Sequence, residues 1–280
     1  MDVKMLTSDK AIAQMVDNTV LAGLVCKGRA DKQEDVITKV YLGSLIELGH
    51  ESVLEHIVVS YHIQDISRAI LQELARHRHI SLSVESTRTT LTRLFKPAAH
   101  EEFTKKVETM CENMALGRAP LAIDLPLDSD SDSDNVSVGE DVELCIDYAI
   151  DGICGLRDIW RNMTGRRKSK AVNDCLKYFL PEAWPTSLVL TLNLRELRHI
   201  LKLRTSYAAH FEFQLLAHTL YDVFPDAYKW LLDDCIDPEC VERIHIAVEN
   251  GVLDDEEDVV YYMDDDDDDD ERGEEELVEV

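Results

Sequence analysis

The stretch RHRHISLSVESTR, residues 76–88, is dense in cationic and hydroxyl side chains. Arg76 and Arg78 flank His77, and these groups repel one another in a folded chain unless an anion lies among them. The serines and the threonine that follow add hydroxyl and backbone donors suited to a phosphate or to the edge of a heterocycle. The stretch therefore predicts an anion-binding site, with a phosphate as the natural occupant.

Two other interpretations of this stretch stay open on the residues alone. Charge clusters are often only solvated surface, so a basic turn is about as consistent with the residues as an anion site. An RNA-binding patch is the third interpretation, although residues 67–94 contain no Phe, Tyr or Trp that could stack on bases. Other segments of the chain are needed to choose among these three interpretations.

Towards the amino terminus, apolar spacing alternates between the periods of helices and strands. Residues 52–64 are rich in β-branched side chains and predict a strand, and Asp65 or Ser67 can cap the helix that follows. The other predicted elements are a short strand over residues 3–6, a helix over 9–20 capped by Ser8, a helix over 35–48 ended by Gly49, and a helix over 68–76. Residues 76–93 themselves match neither pattern.

Towards the carboxyl terminus, helical spacing dominates. Helices are predicted over residues 101–115, 142–160, 170–179 and 206–223. Residues 186–193 predict either a strand or the start of a helix that runs through Leu203. Residues 124–141 are of low complexity and predict a solvated insertion, and residues 253–280 predict a disordered acidic tail. Together these elements predict an α+β protein.

The net charge of −27 is concentrated in two segments. Residues 124–147 carry −9 and residues 253–280 carry −16, so the remaining residues carry only −2. The acidic balance argues against nonspecific nucleic-acid binding by the whole chain, because that binding needs a positive surface. A chain of 280 residues, of which 45% are hydrophobic, can still form one sizeable core.

The seven cysteines are scattered, and none forms a CxxC pair. We therefore predict no metal site and expect free thiols in a reducing cytoplasm. No apolar run approaches the roughly 20 residues that cross a bilayer, and the first residues lack the apolar stretch of a signal peptide. These features predict a cytoplasmic protein that does not contact a membrane.

Three separated segments, taken together, resemble the flavin-dependent thymidylate synthases. Residues 76–86 match the R-H-R-x7-S pattern of that family. Residues 50–56 (HESVLEH) are similar to its G-H-E-[ST]-x-x-E-H segment, and residues 193–204 (NLRELRHILKLR) are similar to its N-x-R…[NH]…L-R segment. The matches follow in order over about residues 40–220, and three blocks are far more specific than one.

The resemblance implies a fold in which helices pack around a small mixed or antiparallel sheet, with residues 1–252 as the catalytic domain. It implies methylation of dUMP to dTMP, with 5,10-methylenetetrahydrofolate as carbon donor, NADPH-reduced FAD as hydride donor and tetrahydrofolate as product. It also implies a homotetramer whose sites form where subunits meet. The chain has neither a G-x-G-x-x-G turn nor a Pro-Cys-His nucleophile, which fits a flavin site built from arginines.

The resemblance also implies roles for individual residues. Those implied to bind FAD are Ser52, Arg76, His77, Arg78, Asn193, Leu194, Arg195 and His199. Those implied to line the dUMP site are Glu73, Leu74, Ala75, Arg76, Val84, Glu85, Ser86, Thr87, Arg88, Lys177 and Arg204. Arg204 would stabilise the N3-deprotonated uracil, because a fixed cation beside developing negative charge lowers a barrier without reorganising. Ser86 would lie near the reacting carbon without being a required covalent nucleophile.

Four positions depart from the family pattern. Thr89 stands where the family usually has Tyr, Val84 where many members have Glu, Glu73 where many have Gln, and Ala208 where some have a flavin-contacting His. Glu85 is adjacent to Val84 and could substitute for that Glu. These departures keep open a second function, in which the protein is a relic of the family that binds nucleotide and flavin without turnover.

Structural roles remain open for several of these residues. Ser52 could be a cap, Asn193 a hydrogen-bonding residue, His199 and Lys177 surface residues, and Arg195 and Arg204 members of exposed salt bridges. A third function, from another class, is an acidic interaction protein whose tail binds basic partners. The tail permits that function but does not explain the ordered basic segments.

Overall fold

The computed structural model describes residues 1–91, 105, 148, 151–152, 155, 174–180, 182, 184–206 and 208–249. The predicted acidic insertion at 124–141 and the acidic tail at 253–280 lie outside these residues. So does almost all of the helices predicted over 101–115 and 142–160. Those elements, and the bounds of the catalytic domain, therefore stay predictions.

A four-stranded antiparallel sheet forms the centre of the described chain, in the order β1-β2-β4-β3. Its strands are β1 (Asp2–Met5), β2 (Val58–Ser67), β3 (Ile80–Val84) and β4 (Pro185–Asn193). Alternate residues of β4 are buried, which confirms the strand rather than the helix among the two predictions for residues 186–193. The sheet also agrees with the predicted α+β class.

Two strand predictions were wrong in detail. The segment Glu51–His56 is a 3-10 helix, so β2 starts six residues after the predicted strand start at Ser52. Residues 80–84, which matched neither pattern, form the edge strand β3. Its side chains are too mixed for a clear alternation, and it becomes a strand by pairing with β4 while Ile80 and Leu82 pack against the core.

Seven α-helices that lie wholly within the described residues surround the sheet. They are α1 (Asp9–Cys26), α2 (Thr38–Glu47), α3 (Arg68–Ala75), α4 (Thr87–Thr90), α5 (Leu194–Arg204), α6 (Phe211–Asp222) and α7 (Pro238–Glu249). Short 3-10 helices occupy Ala30–Asp35, Glu51–His56, Lys177–Phe179, Asp226–Leu231 and Asp233–Cys235. One continuous apolar core lies between the sheet and the helices.

The predicted helix starts agree with the structure where a side chain caps the backbone. Ser8 Oγ accepts from the Ala11 N–H at 3.3 Å and begins α1, as predicted. Ser67 rather than Asp65 caps α3. Gly49 lies directly after the α2 C-cap residue with φ of 73°, a conformation that glycine adopts without strain.

The end of α1 and the whole of α7 were missed. α1 continues to Cys26 because Gly23 and Leu24 are buried, which extends the apolar side beyond the predicted end. α7 begins at Pro238, and the Asp237 carboxylate accepts from the Glu239 N–H at 3.0 Å. An Asp followed by Pro is a helix start signal that the sequence offered.

A bulge at the end of β2 sets the direction of α3. The strand register shifts between Ile63 and Ile66, where Asp65 takes a φ of 57°. Ser67 then caps α3 through its Oγ and donates its own N–H and O–H to the buried Glu212 carboxylate at 2.7 and 2.6 Å. These bonds attach the start of α3 to α6 and so fix where the end of α3 lies.

Candidate active site

The segments 50–56 and 193–204 and the first part of the segment 76–86, the residues before β3, meet at one end of the sheet. Val58 at the start of β2 pairs with Asn193 at the end of β4, and Ile80 at the start of β3 pairs with Leu192. Antiparallel pairing therefore places the chain before β2, the chain before β3 and the chain after β4 side by side. The Leu194 N–H donates to the Ile57 carbonyl at 2.8 Å and joins two of these segments directly.

The centre of the site is a hydrogen-bonded group formed by Glu196, His77 and Arg204. Arg204 Nε donates to His77 Nε2 at 3.2 Å, and His77 Nδ1 lies 3.3 Å from Glu196 Oε1. Glu196 and Arg204 are eight residues apart on α5 and therefore share one helix face. Because a guanidinium only donates, His77 Nε2 accepts, and its proton is on Nδ1.

The environment keeps His77 neutral. Burial is the main cause that lowers its pKa below the usual value, the Arg204 charge lowers it further, and Glu196 opposes both. His77 and Glu196 are only 6% and 8% exposed. The alternative of a solvated basic turn is therefore wrong for His77.

Glu196, His77 and His199 also have the spacing of a metal site, because one ligand atom of each lies within 4.8 Å of the others. Both nitrogens of His77 are already used, one by Arg204 and one by Glu196. A dication here would also face the Arg204 guanidinium at close range. We therefore interpret the group as a hydrogen-bonded cluster.

Two further contacts, with Phe213 and Glu73, hold the Arg204 guanidinium. Its guanidinium carbon lies 4.5 Å from the centre of the Phe213 ring, and its Nη1 lies 3.2 Å from Glu73 Oε2. Glu73 also accepts from Arg76 Nη1 at 2.9 and 3.1 Å. The hydrogen bond from Arg76 is the main cause that lowers the pKa of Glu73, with both arginine charges adding to it. Within this chain the Glu73 carboxylate lies between the Arg76 and Arg204 guanidiniums, and the phosphate site stays a prediction.

The alternative of an exposed salt bridge is wrong for Arg204, whose side chain is only 15% exposed. It describes Arg195 well, since Arg195 Nη1 lies 2.6 Å from Glu55 Oε1 and both side chains are about half exposed. Asn193 caps α5, with its Oδ1 accepting from the Glu196 N–H at 2.8 Å. This cap agrees with the alternative that made Asn193 a hydrogen-bonding residue.

Around the cluster, several residues implied to bind FAD face solvent. They are Ser52, Arg76, Arg78, Arg195 and His199. Exposed guanidiniums are the donors that a pyrophosphate accepts from. The side chains present therefore fit FAD. Leu74 and Leu194 are fully buried in the core, so only their backbone could contact a ligand.

A second group of predicted residues lies at the other end of β3. Val84 pairs with Leu188, and the Glu85 N–H donates to the Ser187 carbonyl at 2.8 Å. From Ile80 to Val84 the strand advances about 13 Å. The residues beyond this point that were implied to bind dUMP are Glu85, Ser86, Thr87 and Arg88.

An acidic residue joins the second group to Lys177. Arg88 Nη2 lies 2.8 Å from Asp174 Oδ2, and Lys177 Nζ lies 3.6 Å from Asp174 Oδ1. Lys177 therefore lies near Arg88, as a shared phosphate site requires, and it is also partly exposed. Asp174 could not be predicted, because nothing in the sequence shows which carboxylate lies between these two cations.

The buried Arg198 lies outside the predicted site and supports it from the core side. Arg198 is 1% exposed and forms two hydrogen bonds to Asp234 at 2.6 and 2.7 Å. It also donates to Glu51 at 3.0 Å and to the Leu231 carbonyl. The bond to Glu51 attaches the 3-10 helix that carries Ser52 to the inner face of α5.

The family model described as Thymidylate synthase complementing protein matches residues 5–228 of this chain. A flavin-dependent thymidylate synthase from Campylobacter jejuni is 34% identical over 215 residues, which cover 75% of this chain and 84% of that protein. The chain belongs to the flavin-dependent thymidylate synthase family. A second relative of that name, from Wolinella succinogenes, is 35% identical over 212 residues, covering 76% of this chain and 85% of the relative.

A solved structure supports the same family. A crystal structure of Thymidylate Synthase X (ThyX) from Helicobacter pylori, with FAD and dUMP, matches with a TM-score of 0.59 and 26% identity, covering 85% of this chain and 100% of that one. The resemblance first drawn from three segments is confirmed, as is the fold class. Among the described helices of this family member, none has the length and apolar character needed to cross a membrane.

Besides Asp174, two more side chains of the site were missed from the sequence. Glu196 was not given a role, although it follows the Asn193 cap by three residues and so lies in the first turn of α5. Phe213 was included only as part of a predicted helix. No local signal identifies either residue, because each is in the site through a contact with a residue distant in the chain.

Proposed function

We propose that this chain methylates dUMP to dTMP, with 5,10-methylenetetrahydrofolate as carbon donor and NADPH-reduced FAD as hydride donor, releasing tetrahydrofolate. The observation that carries the proposal is the position of Arg204, held between His77 and Glu73 beside the exposed Arg76 and Arg78. FAD, when bound, supplies the redox chemistry. The protein supplies binding, orientation and fixed charge.

Arg204 is the residue that we propose to act on the uracil ring. Three contacts fix its guanidinium before substrate arrives, to His77, Glu73 and Phe213. A cation that is already oriented stabilises an N3-deprotonated, enolate-like uracil without reorganisation of the site. Glu73 is also paired with Arg76, so its negative charge is shared between two arginines and does not neutralise Arg204 alone.

We propose that FAD lies against the exposed side of the cluster. Arg76, Arg78 and Arg195 are exposed and can take its phosphates, and His199 and Ser52 are exposed as well. Asn193 contributes through the start of α5, which it caps. The free thiols of all four cysteines in the described chain are consistent with a cytoplasmic location.

We propose further that a complete dUMP site needs two chains of a homotetramer. Within one chain, β3 separates Arg204 from Ser86 and Arg88. If the Arg204 group of one chain faces the Arg88 and Lys177 group of another, the uracil and the phosphate each meet a cation. Closed rotational symmetry lets every chain supply both halves.

Mixing two inactive variants tests this shared site. When Arg204→Ala and Arg88→Ala chains are co-expressed in equal amounts, we expect about a quarter of wild-type activity, because random pairing leaves that share of sites with both arginines. Each variant alone should be inactive. Hybrids without any activity would mean that one chain supplies both arginines.

The overall function is tested by spectrum and by turnover. The purified protein should be yellow, and dUMP should perturb its flavin absorbance. Tritium release from C5-labelled dUMP should require both NADPH and methylenetetrahydrofolate. A nucleotide-binding relic would show the spectral change without release, and the departures at Val84 and Thr89 make that the outcome to examine. A colourless protein would contradict both the synthase and the flavin-binding relic.

A further inference from the structure

Glu196 is a buried carboxylate to which the proposed reaction assigns no role. It is 8% exposed and lies in the first turn of α5, the helix that ends with Arg204. A carboxylate in such a place is unfavourable unless hydrogen bonds compensate it. Its side chain is directed at His77, with Oε1 at 3.3 Å from Nδ1.

The position of the hydrogen on the His77 ring determines whether His77 can accept the hydrogen bond from Arg204. Arg204 Nε can only donate, so His77 must offer an unprotonated Nε2, and its hydrogen must be on Nδ1. The Glu196 carboxylate accepts from that position and therefore selects this tautomer. Without an acceptor on this side, the ring is free to carry its hydrogen on Nε2, where it faces the Arg204 donor.

We propose that Glu196 is a positioning residue for the methylation reaction, which acts through His77 to hold Arg204 in its reactive orientation. The proposal rests on the role given to Arg204 under the proposed function. Glu196 itself does not contact substrate. Its effect is carried by two hydrogen bonds that join residues 119 and 127 positions apart in the chain.

Two substitutions of Glu196 separate this role from simple packing. Glu196→Leu keeps the approximate size and removes the acceptor, and we expect kcat to fall about 10–100-fold with FAD still bound. Glu196→Gln keeps an acceptor oxygen towards Nδ1, and we expect kcat within about threefold of wild type. Equal activity of wild type and Glu196→Leu, with FAD bound in both, would overturn the proposal.

The affinity for dUMP shows whether Glu196 acts through Arg204. In the wild-type background, Glu196→Leu should weaken dUMP binding, measured by titration of the flavin spectrum. In the Arg204→Ala background it should add no further loss, because the residue that it positions is already absent. Independent, additive losses in the two backgrounds would contradict the proposal.

The pH profile decides the question even if Glu196→Leu fails to retain FAD. In the described chain, the charged or titratable groups around His77 are Glu196, His199 and Arg204 on α5, Glu73 on α3, and Arg76 directly after α3. Since the Glu196 charge raises the pKa of His77, Glu196→Gln should lower it and move the acid limb of kcat to lower pH. An unmoved acid limb would contradict the proposal.

Glu212 provides the matched control. It is a buried glutamate with the same 8% exposure, but it bonds to Ser67 and not to His77. Glu212→Gln should leave the acid limb in place, whatever it does to stability. A wild-type protein without tritium release would refute the proposed function itself, whereas an active wild type with no effect of Glu196→Leu would refute only this inference.

Discussion

Replacing Arg204 by alanine should remove nearly all turnover while the protein stays folded and yellow. The guanidinium is fixed by His77 and Phe213 and is only 15% exposed, so a water molecule cannot replace its oriented charge. Loss of one preorganised group that stabilises developing negative charge lowers kcat by about 10²–10³-fold. Tritium release from labelled dUMP measures the loss, and flavin absorbance reports the fold.

Two controls sharpen this prediction. Arg204→Lys keeps the charge but not the planar fork that meets His77 and Glu73, so its kcat should lie between wild type and alanine. Lys202→Ala removes a half-exposed cation from the same helix and should leave turnover unchanged. Turnover at the wild-type level in Arg204→Ala would remove the role assigned to this residue.

Replacing Arg198 by alanine should lower the free energy of unfolding by about 2–5 kcal/mol, because it empties the space of a fully buried side chain and leaves the Leu231 carbonyl without its donor. Arg198 is 1% exposed and bonds to Asp234, Glu51 and the Leu231 carbonyl. Urea unfolding followed by circular dichroism measures the change. Because Glu51 adjoins Ser52, we also expect weaker retention of FAD.

The ion pair between Arg198 and Asp234 predicts how this loss of unfolding free energy depends on pH. Burial opposes the ionised form of Asp234, but the hydrogen bonds from Arg198 outweigh it and hold the pKa of Asp234 below its usual value. A carboxyl whose folded pKa is lowered stabilises the protein above its unfolded pKa, and the stabilisation is lost as pH falls through the folded pKa. The difference between wild type and Arg198→Ala should therefore shrink in acid.

Lys202→Ala is again the matched control. Lys202 Nζ lies 3.6 Å from Glu51 and 3.5 Å from Asp234, the same two carboxylates, but its side chain is 46% exposed. An exposed ion pair contributes about 0–1 kcal/mol. Equal losses of unfolding free energy for the two variants would show that burial is not what makes Arg198 important.

Local patterns predicted the elements whose cause is local. Ser8 and Ser67 cap their helices because a side chain reaches a backbone N–H three residues ahead. For residues 186–193 the sequence left a strand and a helix open, and the alternating burial of β4 decided for the strand. By contrast, β3 becomes a strand only because β4 offers it an edge, and the 3-10 helix Glu51–His56 replaced the expected start of β2.

For the site, the order and spacing of three segments along the chain determined by themselves which family the protein belongs to, because such motifs are linear. Only the tertiary structure decided that Glu73 is the anion between Arg76 and Arg204, that Glu196 lies behind His77, and that Arg88 lies at the far end of β3. The physical reason is strand register: the antiparallel pairing of β2, β3 and β4 brings together residues more than a hundred positions apart. Neither the hydrophobic periodicity nor the composition of a single segment contains information about this register.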